Sequence, residues 1–267
     1  MTGVAPARFT AVVLAGSRGG TDPLAEAHGV AEKCLVPVRG MPMVERVLRT
    51  LARTSAVDHI IVTLERPELL DDLPAVRELG ASGRLSLRRG RATPSLSVLA
   101  ILDELGDTAP VLVTTADHPL LTPELVEGFC TEAWATGADV VAGLTPAAVI
   151  EQAYPGAQRT YLRFAGDRCS GANLFAILTP RGRRAVVFWR RVEQDRKRPW
   201  RIVRAFGLGP LLAYLLGRLT LDGAMARASA IIGARVAAVL LPVAEAAIDV
   251  DKPADLELVD AILARRG

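Results

Sequence analysis

Short unbroken apolar runs alternate with stretches whose apolar residues recur every three or four positions along the first half of the chain. Residues 10–15 (TAVVLA) are continuously apolar and too few for a helix, the mark of a strand buried on both faces. A polar, glycine-rich loop follows over 16–32. From Pro42 the pattern turns helical: Val44, Val47, Leu48 and Leu51 share one face, and proline stands early, where its missing N–H has no partner to lose. Residues 59–64 predict a second strand, 67–79 a helix, 85–87 a short strand and 95–105 a helix. Residues 110–114 (PVLVT) predict a further buried strand that ends at the polar turn Thr115-Ala116-Asp117. A helix over 123–135 with Thr122 as its N-cap and a strand over 139–144 complete this half.

Strands alternating with helices imply an α/β, Rossmann-like, mostly parallel sheet with helices on both faces. Right-handed crossovers then bring the C-terminal ends of the strands to one edge, where open sheets of this kind bind ligands. The loops after Ala15 and after Thr114 should both open there. In the second half, 160–164 and 174–178 predict strands around a turn-rich segment, 165–173. A mostly helical region, 181–232, interrupts the sheet, 236–240 and 246–249 return to strand character, and 251–264 ends as a helix. Neither an internal repeat nor a low-complexity linker divides the chain. The expectation is a single domain over 1–267 with a helical insert at 181–232.

Composition changes this picture little. Half of the residues are apolar, enough for a packed core, and no run reaches the length of a membrane span. The first eight residues carry no signal-peptide pattern, so the expected location is cytoplasmic. Cys34, Cys130 and Cys169 fit neither a metal nor a disulfide spacing and read as core or loop residues; the histidines are equally scattered, which argues against zinc. The formal charge of +3 conceals a local patch. Residues 181–204 hold ten Lys/Arg against Glu193 and Asp195, a net +8, so the rest sums to −5.

The candidate chemistry begins in the first loop. A glycine-rich turn after a buried strand lets backbone N–H groups approach phosphate oxygens, and Arg18 and Lys33 can neutralise a triphosphate. The spacing is neither a Walker loop nor G-x-G-x-x-G. Leu14-Ala15-Gly16, Arg18, Lys33-Cys34-Leu35 and Gly40-Met41-Pro42-Met43 resemble the N-terminal signature of nucleotidyltransferases with the glycosyltransferase-A-like fold, in particular the molybdenum-cofactor guanylyl- and cytidylyltransferases and related enzymes. Ser17 replaces the second glycine of that signature, and the loop between Gly20 and Lys33 is longer. Three further stretches are similar to family motifs: VTTADHPLL (113–121), with a strand-end aspartate; SGANLF (170–175), an acceptor-side turn; and IDVDKPADL (248–256), a C-terminal carboxylate motif.

The resemblance implies Mg²⁺ held by Asp117 and Asp251, with Asp249 as a further candidate; carboxylate oxygens suit that hard cation. It implies nucleotide contacts from Leu14, Ala15, Gly16, Ser17, Arg18, Lys33, Ser95 and Thr115, and acceptor contacts from Gly171 and Asn173. Each has a plainer alternative. Asp117 could form a turn, Asp251 could cap the last helix, and Lys33 could be a solvated loop residue. Ser95 and Ser97 could start a helix, and Gly171 and Asn173 could make a tight turn. His118 reads as structural rather than as a base. The basic stretch 181–204, with Trp189 and Trp200, is read as a solvated helix face, an anion-binding lid, or a peripheral contact with an anionic membrane. Nucleic acid is set aside because no recognised motif accompanies the charge.

The expected activity is Mg²⁺-dependent transfer of a nucleoside monophosphate from an NTP, CTP slightly before GTP, to a small phosphorylated acceptor with release of pyrophosphate. Arg18, Lys33 and Asp117 are the expected catalytic groups. The alternatives are a glycosyltransferase using a sugar nucleotide and a non-catalytic nucleotide-binding module.

Overall fold

A computed structural model describes residues 8–16, 22–106, 110–194 and 216–266. The strands are β1 (Phe9–Leu14), β2 (Pro37–Val38), β3 (Met41–Pro42), β4 (Val57–Leu64), β5 (Leu85–Arg89), β6 (Val111–Thr115), β7 (Val140–Pro146), β8 (Leu162–Phe164), β9 (Asp167–Ile177) and β10 (Val236–Leu240). The helices are α1 (Pro23–Ala27), α2 (Met43–Arg53), α3 (Pro74–Ala81), α4 (Pro94–Leu105), α5 (Pro123–Ala135), α6 (Ala147–Ala153), α7 (Arg183–Gln194), α8 (Leu221–Ile232) and α9 (Pro253–Arg266).

The main sheet runs β10-β7-β9-β6-β1-β4-β5, with β8 paired to β9. The pairs β10–β7, β6–β1, β1–β4 and β4–β5 are parallel, as the alternating pattern predicts. β9 departs from it, lying antiparallel between β6 and β7. The segment expected to be turn-rich, 165–173, is largely strand. Its glycine and asparagine give a weak local signal, but β7 and β8 supply backbone partners on either side, and pairing overrides propensity. The irregularity the sequence does register is a shift of the β7–β9 register between Ala142 and Leu144, opposite Asn173. Asn173 has φ 49°, a conformation asparagine tolerates better than most side chains.

Two other elements differ from expectation. The helix over 67–79 splits into a 3₁₀ turn at Pro67–Leu70 and α3, because Pro74 bars helical geometry at Leu73 and restarts the helix as its own first residue. Residues 246–249 fall in a 3₁₀ turn, Ala244–Ala247, and an extended segment after it, not a strand. By contrast α5 begins and ends where its pattern predicts, and the Thr122 hydroxyl accepts from Leu125 N.

Apolar side chains pack on both faces of the sheet. On one, Val44, Leu48 and Leu51 of α2, Val76 of α3 and Val126 and Phe129 of α5 share a cluster with Val13 and Ile60 of β1 and β4 and with Leu174 and Val239 of β9 and β10. On the other, Val98, Ile101 and Leu102 of α4 and Val186 of α7 cover Val12, Val113 and Ile177. α7 lies beside α4, and α8 against β10. A third cluster positions the site. Val36, Leu120, Ile248, Val250, Val259 and Ile262 are buried together, at roughly 1.5–3 kcal/mol for each large side chain. These residues lie beside Lys33, Asp117, Asp249 and Asp251, so this small core fixes three distant segments at one edge of the sheet. Among the described residues no helix is long and apolar enough to cross a membrane.

Candidate active site

Three parallel strands end side by side. Leu14 pairs with Thr63 on β4 and with Thr115 on β6, and Ala116 N donates to Leu14 O at 3.0 Å. Leu14, Ala15, Gly16 and Thr115 therefore share the C-terminal edge that the topology predicts for ligand binding. Ser17 and Arg18 lie outside the described residues. The loop after β5 reaches the same edge: Gly90 N donates to Leu64 O at 2.7 Å, and a Cβ on Gly90 would stand 3.2 Å from the Leu64 carbonyl carbon. A glycine is what permits that approach. Beside it opens a cleft of about 590 Å³ lined by Thr63, Arg88, Arg89, Arg91 and Ser97. Ser97 Oγ accepts from Arg91 N at 2.8 Å and so shapes its wall. Ser95 is fully buried, with its hydroxyl bonded to Thr93 and Glu193; the helix cap is Thr93.

The centre of the site is Lys33. Its Nζ donates to Asp117 Oδ2 at 2.8 Å and to Asp251 Oδ1 at 2.5 Å. Asp117 arrives on the turn after β6, Lys33 on a 3₁₀ turn (Lys33–Leu35), and Asp251 on the extended segment before α9. Val250 N donates to Asp117 O at 2.9 Å and ties the segment carrying Asp251 to the turn carrying Asp117. In that extended segment Ile248 and Val250 point into the core, which turns Asp249 and Asp251 outward.

Asp249 is held differently. Its Oδ1 accepts from Arg159 Nη1 at 3.1 Å and its Oδ2 from Asn173 Nδ2 at 3.0 Å. Arg159 also donates to Asp255 Oδ1 at 2.8 Å, and Asp255 Oδ2 accepts the backbone N–H groups of Asp251 and Lys252 at the start of α9. The sequence offers little signal for Arg159, which stands in an aperiodic loop. Asp255 was readable in principle as an acid in the first turn of a helix. Gly171 lies two residues from Asn173 on β9 and pairs with Leu144.

The electrostatics follow from these contacts. Burial would lower the Lys33 pKa, but Asp117 and Asp251 outweigh it and raise it. Burial would raise that of Asp117, but the Lys33 charge and hydrogen bond hold it low. Asp249 is shifted up, by burial and then by repulsion from Asp117 and Asp251, against the pull of Arg159. His118 is fully buried, and burial pushes it down to about 4 despite Asp117. The three cysteines are buried and free.

The donor set suits a hard divalent cation. Asp117 Oδ1 is buried without a hydrogen-bond partner, and the neighbouring carboxylates repel one another. Among the described residues no three Asp, Glu, His or Cys side chains are gathered as ligands of one ion as they stand; Lys33 lies between the two carboxylates instead. The basic stretch is described only to Gln194. In that part Arg183 pairs with Asp103 at 2.6 Å, Arg184 donates to Gly233 O, and Trp189 packs against the core. Trp200 lies outside the described residues.

Comparison with known proteins adds the following. The MobA-like NTP transferase domain matches residues 11–194. A structure described as a hypothetical transferase from Thermus thermophilus is 34% identical, with a TM-score of 0.77, over 93% of this chain and 99% of that one. CMP:2-keto-3-deoxy-manno-octonic acid synthetase complexed with CTP has a similar fold, with TM-score 0.57 and 17% identity over 98% of this chain and 100% of that one. So does 4-diphosphocytidyl-2C-methyl-D-erythritol synthase from Anaerococcus prevotii DSM 20548, with TM-score 0.55 and 14% identity over 97% of each chain. No match was found among curated protein sequences.

Proposed function

This chain belongs to the MobA-like NTP transferase domain family and is a nucleotidyltransferase, and on that premise we propose that it moves a nucleoside monophosphate from an NTP to a small phosphorylated acceptor. The supporting observation is the meeting of Lys33, Asp117 and Asp251 from three separate segments at the edge where β1 and β6 end.

In this reading an acceptor phosphate oxygen attacks the α-phosphorus, the bond from that phosphorus to the bridging oxygen breaks, and pyrophosphate leaves. The acceptor is already anionic, so no general base is needed. Lys33, with Arg18, neutralises phosphate charge as the transition state forms. Asp117 and Asp251 would hold Mg²⁺, which supplies charge neutralisation and alignment at the α-phosphate. Asp249 is the third carboxylate; with both oxygens engaged, its first role is to orient the segment carrying Asp251. Leu14, Ala15, Gly16 and Thr115 form the floor for the nucleotide, and the arginine-lined cleft with Ser97 receives its outer part. Ser95 supports that wall through α7. Asn173 and Gly171 face the acceptor side. In this reading 181–232 stays in the same domain as the sheet, supported in its described part by Val186 of α7 packing with Val98 and Leu102 of α4. Its described half favours a structural helix over a membrane contact. A cytoplasmic location is part of this reading, the acceptor being a soluble phosphate. CTP is the first nucleotide to test, since one similar fold is solved with CTP and another bears a cytidyl name.

The test is pyrophosphate release from CTP, GTP, ATP and UTP with Mg²⁺ against pools of sugar, polyol, glycerate and pterin phosphates. Release that needs one NTP and one pool supports the reading. Free nucleoside diphosphate released from a sugar nucleotide, with no pyrophosphate from any NTP, would point to a glycosyltransferase, and binding without turnover to a non-catalytic module.

A further inference from the structure

Lys33 spans two carboxylates from well-separated segments of the chain with one ammonium. The pair it spans is also the pair with coordinating capacity to spare: Asp117 keeps a bare buried oxygen, and Asp251 is largely exposed. Asp249, by contrast, has both oxygens committed to Arg159 and Asn173. A divalent ion bound to Asp117 and Asp251 needs oxygens at about 2.0–2.6 Å. It would thus lie within a few ångströms of an ammonium already 2.8 Å and 2.5 Å from those same carboxylates. Two cations repel at that range. Lysine is the residue type able to yield the place, being a compact charge on a flexible four-carbon stem.

We propose that Lys33 is the resident counter-ion of Asp117 and Asp251, and that a divalent cation takes its place only when a nucleotide triphosphate draws the ammonium away. The inference rests on the assignment of Asp117 and Asp251 as metal ligands made above. It makes metal and nucleotide binding reciprocal: each favours the other, and the free protein holds metal weakly. It also gives Lys33 a second task. The side chain that keeps the empty site neutral becomes, on exchange, the group that neutralises the phosphates. No separate pocket has to form for either cation.

The test is Mn²⁺ titration of the full chain, followed by the paramagnetic resonance of free Mn²⁺, with and without α,β-methylene-CTP. Lys33→Met and Lys33→Gln are compared with the unmodified protein, and Asp117→Asn serves as the reference for the metal assignment. Without nucleotide, both Lys33 variants should bind Mn²⁺ about tenfold or more tighter than the unmodified protein. Mn²⁺ should also raise their melting temperature more than it raises that of the unmodified chain. Lys33→Gln retains a hydrogen-bond donor and keeps the comparison open should Lys33→Met fold poorly. Equal Mn²⁺ affinity in all three, with Asp117→Asn alone defective, would overturn the exchange and leave the metal assignment standing. Mn²⁺ binding that is indifferent to Asp117→Asn would overturn both.

Discussion

Lys33 Nζ and Asp117 Oδ2 lie 2.8 Å apart across 84 residues of sequence, and the lysine side chain is only 14% exposed. A half-buried ammonium and a half-buried carboxylate at this range each gain from the other's neutralisation. Their joint effect on stability has a defined pH window. The Asp117 pKa is lowered, so its contribution is present above the unfolded value of 3.8 and fades as pH falls below it. The Lys33 pKa is raised, so its contribution is present below 10.5 and fades as pH rises beyond it. Asp117→Asn should therefore destabilise the protein equally at pH 6 and pH 9, by about 1–3 kcal/mol in urea unfolding, with Lys33 still held by Asp251. The same substitution should lower kcat/KM by ~100-fold or more.

His118 predicts a loss of stability on acidification that begins at higher pH than that of Asp117. Its pKa falls from 6.5 to about 4 in the folded chain, so between those values the unfolded state takes up a proton that the folded state refuses. Stability held above pH 6.5 should be lost as pH drops towards 4, on the order of 3 kcal/mol from this residue. His118→Gln should be less stable at pH 7 and show a shallower decline between pH 7 and 4.5, measured by urea midpoints across that range.

Arg159 carries the hidden half of the site. Its side chain is 7% exposed and joins Asp249 to Asp255. Arg159→Met leaves two carboxylates without their partner and should cost about 3–5 kcal/mol. Arg159→Lys should recover part of the stability but not the fork that orients both acids, so its kcat should remain depressed while stability returns. Thermal melts read beside steady-state kinetics separate these effects.

Gly182 lies at the junction from β9 to α7. A Cβ there would collide with the Asp139 carbonyl and stand 2.9 Å from Ile177 Cγ2. Gly182→Ala should destabilise by roughly 1–3 kcal/mol through this overpacking, with little effect on the KM for nucleotide, since neither Gly182 nor the residues it would strike line the cleft.

What was legible in the sequence follows from where its signals originate. β1 and β6 are continuous apolar runs and α5 has a capped, periodic pattern, so their existence and the edge they define could be read directly. Lys33, Asp117 and Asp251 were visible as motifs in the right order, and the structure brings them together. β9 was not legible as one strand, because Gly171 and Asn173 weaken its local signal while its partners are remote in sequence. The same remoteness hid Arg159. Nothing within the loop marks it; only the folded contact with Asp249 and Asp255 gives it a role. Ser95 carries the same lesson, since only the packing of α7 on α4 decides that its hydroxyl meets Glu193 while Ser97 lines the cleft.

The measurement that tests the central claim most directly follows a labelled phosphorus. NTP carrying ³²P at the α or at the γ position is incubated with the protein, Mg²⁺ and the acceptor pool that supports release. Transfer of a nucleoside monophosphate predicts α-label in the acceptor product and γ-label in pyrophosphate, with both transfers lost in Asp117→Asn. Label from the γ position in the acceptor or in orthophosphate, or full turnover in Asp117→Asn, would contradict it.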